Sequence, residues 1–225
     1  MIADRLQTVK TTLPQGVELV AVSKYHPVED VMEAYHAGQR VFGENIVQEL
    51  RGKQPLMPAD VEWHFIGHLQ TNKVKYIAPY VSLIHSVDSL KLLGEISRQA
   101  IKCGRKIDCL LQIHVAEEET KFGFTIDECR QMLCEGAWRD LDGVRLRGVM
   151  CMASNTDDTK QVHAEFRRVY DFFTEAKAEY FADAPEFFIR CYGMSHDYNI
   201  AIEEGSNMVR IGTAIFGERS YPLNS

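Results

Sequence analysis

The order of residue patterns along this chain constrains its fold more than any single motif does. Eight short runs rich in β-branched and aromatic residues fall at Glu18 to Ser23, Arg40 to Phe42, Glu62 to Ile66, Val81 to His85, Ile107 to His114, Val144 to Met150, Phe187 to Cys191 and Met208 to Ile211. Each is followed by a helical pattern or by a loop leading to one. Strands that alternate with helices pair in parallel, because every crossover returns the chain to the same end of the sheet. Helical stretches are expected at Val28 to Ala37, Ser89 to Cys103, Thr125 to Glu135, Thr159 to Ala182 and Tyr198 to Glu204. In the stretch from Ser89, Leu92, Leu93, Ile96 and Ala100 recur at three- and four-residue spacing, which gives one apolar face to lay on a sheet.

Eight such units can close into a barrel, whereas an open doubly wound sheet usually has fewer strands and often carries a Gly-rich first turn. No GxGxxG occurs here. The length of 225 residues lies within the roughly 200 to 250 that one barrel occupies. No internal repeat, linker or low-complexity stretch divides the sequence. The expectation is an α/β protein forming a single (β/α)8 TIM barrel domain over residues 1–225, with an additional N-terminal helix around Met1 to Lys10.

A net charge of -7 and no polybasic cluster argue against a surface that tracks phosphate backbones, so no nucleic-acid partner is expected. The start MIADRLQTVK has no signal-type apolar region, and no apolar run approaches the roughly 18 residues of a membrane span. A cytoplasmic protein without membrane contact is expected. The six cysteines form no CxxC and no metal-ligand spacing, which suits free, mostly buried thiols. His64 and His68 form an HxxxH, but VEWHFIG reads as a strand ending at Gly67 and no glutamate follows the first histidine, so zinc is not expected. The acidic run Glu117 to Glu119 reads as a solvated loop that could shield the mouth of a site.

With the strands so placed, Lys24, Asn45, Ser86, Ser195 and Thr213 all fall at or just beyond strand C-termini, which in barrels is the active face. Lys24 ends the run ELVAVSK, where alternation puts Val20, Val22 and Lys24 on one face. A lysine continuing the interior face is desolvated, which disfavours the ammonium and frees the amine to attack an aldehyde. A lysine that merely ends a strand with its head in water fits the same run. Two places suit a phosphate: Gly193 and Ser195 before the helix at Tyr198, and Gly212 with Thr213 after the last strand. Exposed N–H groups there can bind an anion, and barrels often hold phosphate with the loops after strands seven and eight. Arg210, two residues before Gly212, either faces a bound ring or pairs with a carboxylate such as Glu44 or Glu218, and the sequence fits both.

Seven blocks resemble the YggS/PROSC-type pyridoxal phosphate homeostasis family: AVSK at Ala21, FGENIVQE at Phe42, WHFIGHLQTNK at Trp63, IHSVD at Ile84, ETKFGF at Glu119, GMSHDYNIAI at Gly193 and VRIGTAIFGER at Val209. Their order and span over nearly the whole chain make the resemblance specific. It implies a barrel similar to that of alanine racemase, with pyridoxal 5'-phosphate as cofactor and Lys24 as the Schiff-base lysine. Ser195, Gly212 and Thr213 would hold the phosphate, Arg210 would lie near the pyridine nitrogen, and Asn45 and Met150 would line the ring. The chain departs from the family's usual pattern at Tyr25 and His26, at His114, and in CMASNT after Met150.

Three functions come into question: a carrier that stores pyridoxal phosphate as the Lys24 aldimine and delivers it to apo-enzymes, a pyridoxal phosphate enzyme such as a weak racemase, and a cofactor-free Schiff-base aldolase. The resemblance favours the carrier, a monomer or weak homodimer acting in cofactor homeostasis and amino-acid balance without established catalysis. An arginine at the pyridine nitrogen weakens the ring as an electron sink. A racemase also needs a second acid/base, which in alanine racemase is a tyrosine from an added C-terminal domain of the partner subunit, and this sequence stops at Ser225.

Overall fold

The eight runs form eight parallel strands that pair in chain order, with the last beside the first, so that the sheet closes on itself. A computed structural model describes residues 1–116 and 122–218; the acidic run Glu117 to Glu119 lies outside the described residues. The strands are β1 (Glu18–Val22), β2 (Val41–Glu44), β3 (Glu62–Phe65), β4 (Leu83–Val87), β5 (Ile107–His114), β6 (Val144–Met152), β7 (Ile189–Cys191) and β8 (Met208–Ile211). An N-terminal helix, α1 (Ile2–Thr12), precedes them. Then α2 (Val28–His36), α3 (Val47–Lys53), α4 (Leu90–Lys102), α5 (Ile126–Glu135), α6 (Thr159–Tyr180), α7 (Tyr198–Glu203) and α8 (Thr213–Phe216) follow the strands, with a 3-10 run, Thr71–Tyr76, in place of a helix after β3.

Local chemistry fixes where these helices start. The Ser89 hydroxyl accepts from the Leu92 N–H ahead of α4, Thr125 and Glu128 form a reciprocal capping box on α5, and Asp158 accepts from the Lys160 and Gln161 N–H groups of α6. Each helix then lays an apolar stripe on the sheet, as in α6, where Val162, Phe166, Val169, Phe173 and Ala176 are buried. The helix after β8 has only four residues, and α1 packs beside it and against α2, burying Ile2, Leu6 and Val9. Arg5 of α1 donates to the carbonyls of Ile215 (2.6 Å) and Phe216 (3.1 Å) at the end of α8. The extra N-terminal helix thus covers the seam where β8 meets β1.

Two apolar layers result. The larger lies between strands and helices; the smaller, built from Val20, Val41, Leu83, Leu110, Met150, Ile189, Cys191 and Met208, fills the barrel's interior. Side chains alternate in and out with a period of two, so the inward residues continue from Val20 to Val22, from Leu83 to His85, from Leu110 to Gln112 and from Met208 to Arg210. The interior therefore changes from apolar to polar toward the strand C-termini. One close approach requires glycine: Gly148 has φ +150°, and a Cβ there would come within 1.8 Å of the Ile189 carbonyl oxygen, beside the register shift between β5 and β6.

Six of the eight strands differ from the expected spans at one end or both, all but β5 and β8, and two of these shifts matter for the site. β4 begins at Leu83 rather than Val81, because the Val81 N–H is taken by the carbonyl of Ile77 (2.9 Å) in the preceding turn. β4 also runs on to Val87, so Ser86 sits within the strand, buried, instead of beyond its end. β6 runs on to Met152, so Met150 is an interior position and not a terminal one.

Candidate functional site

A cavity of about 240 Å3 opens at the C-terminal mouth of the barrel, bordered by Lys24, Asn45, Ser195, Arg210, Gly212 and Thr213 from the loops and ends of β1, β2, β7 and β8. Six of the seven residues expected to hold a ligand meet here. Met150 does not border it: it lies one inward position deeper, fully buried in the interior layer, and Met152 takes the mouth position on the same strand face. Ser86, expected at the same face, is buried away from the cavity wall with no hydrogen-bond partner for its hydroxyl among the described residues. The two histidines of the HxxxH part company. His64 points into the barrel against His85, whereas His68 pairs with Asp88 (3.1 Å) and stacks on Phe122 at the rim. No cluster of three or more potential metal ligands occurs among the described residues. All six cysteines are free thiols, four of them buried.

Lys24 stands in the turn that follows β1, half-buried, and the next residue, Tyr25, has φ +64°. It is the one non-glycine residue with positive φ among the described residues. A left-handed tyrosine is strained and persists only where its surroundings hold it. Here the Tyr25 N–H donates to the Glu49 carboxylate (2.9 Å) on α3. Beneath the turn, Lys53 donates to the Ser23 carbonyl (2.8 Å) and to Glu44 Oε1 (2.7 Å), which also accepts from the Ser23 hydroxyl (2.7 Å). Burial pushes the Glu44 carboxyl above its ordinary range, and the Lys53 ammonium opposes that shift. Sequence reading missed this cluster, although FGENIVQELRGK carries its acids and its lysine at one-turn spacing.

Arg210 is nearly inaccessible, and its guanidinium is held from below: Nη1 donates to the Cys191 carbonyl (2.8 Å) and sulfur (3.1 Å), and Nη2 to the Cys151 carbonyl (2.9 Å). It is not paired with Glu44, whose carboxylate is engaged by Lys53. A guanidinium only donates, so Cys191 accepts from it, and the same sulfur lies 3.4 Å from His85 Nδ1. His85 Nε2 in turn shares a hydrogen bond with His64 Nδ1 (3.0 Å). Desolvation favours neutral rings throughout, lowering His64 to about 3 and His85 well below its ordinary value, and burial raises the Cys191 thiol. Arg210 is thus a fixed cation on the cavity wall, backed by a neutral chain of three side chains.

The adjoining wall is the loop after β7, whose Gly193 carbonyl accepts from the Arg210 N–H (3.0 Å). Gly193 has φ +96°, and a Cβ there would lie 2.6 Å from the Ala201 Cβ and 2.9 Å from the Tyr198 Cα, so only glycine lets the loop after β7 fold onto α7. Asp197 accepts from the Met194 N–H (2.5 Å) and closes that loop, leaving Ser195 and His196 on the cavity. His26 also borders the cavity, its ring stacked on Phe216 at 5.1 Å and its Nδ1 3.3 Å from Asp30. The side-chain amide oxygen of Asn45, Oδ1, is buried with no hydrogen-bond partner among the described residues. An amine, a fixed cation, a hydroxyl-bearing loop pair and an unsatisfied amide oxygen suit an anionic, polar aromatic ligand that carries a carbonyl group.

The family profile described as alanine racemase, N-terminal domain, matches residues 1–220. The chain belongs to that family. Within the alanine racemase N-terminal domain family its curated relatives include the pyridoxal phosphate homeostasis protein of Aquifex aeolicus, 40% identical over 224 residues that span 98% of this chain and 96% of that protein. The structure of PipY from Synechococcus elongatus PCC7942 with PLP bound is similar at a TM-score of 0.86 and 36% identity, covering 96% of this chain and 100% of that one. Alanine racemase of Clostridium difficile 630 shares the fold, with a TM-score of 0.75 at 17% identity over 98% of this chain and 56% of the racemase. Both halves of the expected resemblance, to the homeostasis proteins and to the racemase barrel, are met. Among the described residues no helix is long and apolar enough to cross a membrane.

Proposed function

We propose that this chain binds pyridoxal 5'-phosphate in the cavity at the barrel mouth, linked to Lys24, and acts as a carrier that stores the cofactor and passes it to apo-enzymes. The observation that carries the reading is the meeting of Lys24, Arg210, Ser195, Gly212 and Thr213 on one cavity. The residues fit the group. Ser195 and the Gly212–Thr213 backbone would hold the phosphate, Arg210 would face the pyridine nitrogen, and Asn45, whose amide oxygen is otherwise unsatisfied, would meet a polar substituent of the ring. When bound, the cofactor supplies an aldehyde that condenses with the Lys24 amine, forming a carbon–nitrogen double bond and releasing water.

Arg210 fits the carrier role without deciding it, since arginine as well as aspartate stands at the pyridine nitrogen of enzymes that use this cofactor. A protonated pyridine nitrogen, favoured beside a carboxylate, is the stronger electron sink for catalysis at the α-carbon of an amino acid. A guanidinium held by two backbone carbonyls and a thiol is a donor that stays charged, and a cation at that place disfavours a second one on the ring. The names of the relatives, homeostasis proteins and not enzymes, support the same reading. The loaded protein should activate an apo-enzyme that depends on pyridoxal phosphate while exchanging the α-proton of L-alanine for deuterium slowly or not at all. Exchange near a typical enzymatic turnover of about 1 to 1,000 per second would replace the carrier with an enzyme.

A further inference from the structure

We propose that Lys53 is a positioning residue for Lys24, holding, directly and through Glu49, the two peptide groups that flank it. The inference rests on the reading of Lys24 as the point of attachment for the cofactor.

Each peptide unit is planar, so the orientation of Lys24 at its Cα is set by two planes: the one that carries the Ser23 carbonyl and the one that carries the Tyr25 N–H. Lys53 donates to the Ser23 carbonyl at 2.8 Å and fixes the first. Glu49 accepts from the Tyr25 N–H at 2.9 Å and fixes the second. Lys53 also lies 3.4 Å from the same Glu49 oxygen and 2.7 Å from Glu44 Oε1, so the three protons of its ammonium have three acceptors. The two clamps are one unit. The side chain of Lys53 is only 10% exposed and Glu44 is fully enclosed, an arrangement that apolar side chains could often replace without loss of stability. What apolar side chains could not supply is hold on a backbone carbonyl and, through Glu49, on a tyrosine at φ +64°. The cluster therefore directs the Lys24 side chain into the cavity, while phosphate and ring contacts belong to other residues, at the end of β2, on β8 and on the loops after β7 and β8. Lys53 touches neither, and its effect passes through the geometry of attack.

This division sets the test. Pyridoxine 5'-phosphate carries an alcohol where pyridoxal 5'-phosphate carries an aldehyde, so it shares the phosphate and ring contacts and cannot link to lysine. Affinities for both compounds are measured with the full chain, with Lys53→Met and with Glu49→Ala, the second variant removing the Tyr25 clamp and the longer contact to Lys53 while leaving Lys53 on the Ser23 carbonyl and Glu44. Thermal unfolding of each is recorded alongside. The expected result is a loss of about 10- to 100-fold in affinity for the aldehyde and less than about twofold for the alcohol, the scale on which a misplaced reacting group loses its advantage. Equal losses for both ligands in Glu49→Ala would overturn the proposal, as would an unchanged ratio in a folded Lys53→Met. Failure of the underlying reading has its own signature: unaltered protein would bind aldehyde and alcohol equally, and Lys24→Ala would leave that ratio untouched.

Discussion

Acidification from about pH 7.5 to about pH 5.5 tests the neutral state assigned to the buried His64–His85 pair. An unfolded histidine, with an ordinary value of 6.5, is about nine-tenths protonated at the lower pH, whereas His64 in the folded barrel stays neutral down to about 3. The folded state thus binds fewer protons than the unfolded state across that window. Stability rises with pH there and is lost as pH falls through the unfolded value. Integrated between the two conditions, each histidine removes about 1.4 kcal/mol, and the pair about 3 kcal/mol. Glu44 and Glu18 act in the opposite sense, since burial raises both carboxyls and the folded state takes up protons on them as pH falls. The difference between proteins isolates the histidines. Urea unfolding at both pH values, for the unaltered chain, His64→Asn and His85→Asn, gives stabilities by linear extrapolation. Each variant should lose about 1.4 kcal/mol less than the unaltered chain on acidification. Parallel losses within a few tenths of a kcal/mol would refute the neutral chain behind Arg210.

Two further substitutions separate the walls of the cavity. Ser195→Ala removes a hydroxyl donor to a charged phosphate and should weaken pyridoxal 5'-phosphate by about 10- to 100-fold, with a smaller loss for plain pyridoxal, both read by equilibrium titration. Met150→Ala opens a hole in the packed interior and should cost about 2 to 5 kcal/mol in urea unfolding with little change in affinity, whereas Met152→Ala should show the reverse balance.

The barrel was legible in the sequence because its signal is local. Alternating residues in runs such as Glu18 to Ser23 and the three- and four-residue spacing from Ser89 each report on one element, and eight such units leave few ways to fold. Boundaries were less legible, and small shifts carried consequences. Two more residues of β6 move the mouth position from Met150 to Met152, since inward positions recur every second residue. The turn before β4 uses the Val81 N–H, a fact written in hydrogen bonds to Ile77 and not in any β-propensity. Lys24, Asn45, Ser195 and Thr213 could be gathered at one face because each follows a strand. The supports beneath them could not. Arg210 leans on Cys191 and Cys151 from neighbouring strands, His85 meets His64 across a strand pair, and Lys53 reaches back to Ser23 over an intervening strand and turn. Those contacts depend on the pairing of successive strands, which brings distant segments together and leaves no periodic trace along the chain.

Whether the cofactor is attached where the cavity offers an amine is decided by borohydride reduction of the protein loaded with pyridoxal 5'-phosphate, followed by peptide mapping. Reduction turns the carbon–nitrogen double bond into a stable single bond and marks the attached lysine with a pyridoxyl group. The expected result is a yellow protein that bleaches on reduction, with the added mass on the peptide that contains Lys24 and no comparable labelling in Lys24→Ala. Labelling of another lysine with Lys24 unmodified would contradict the assignment, and with it the reading of this barrel mouth as the seat of the cofactor.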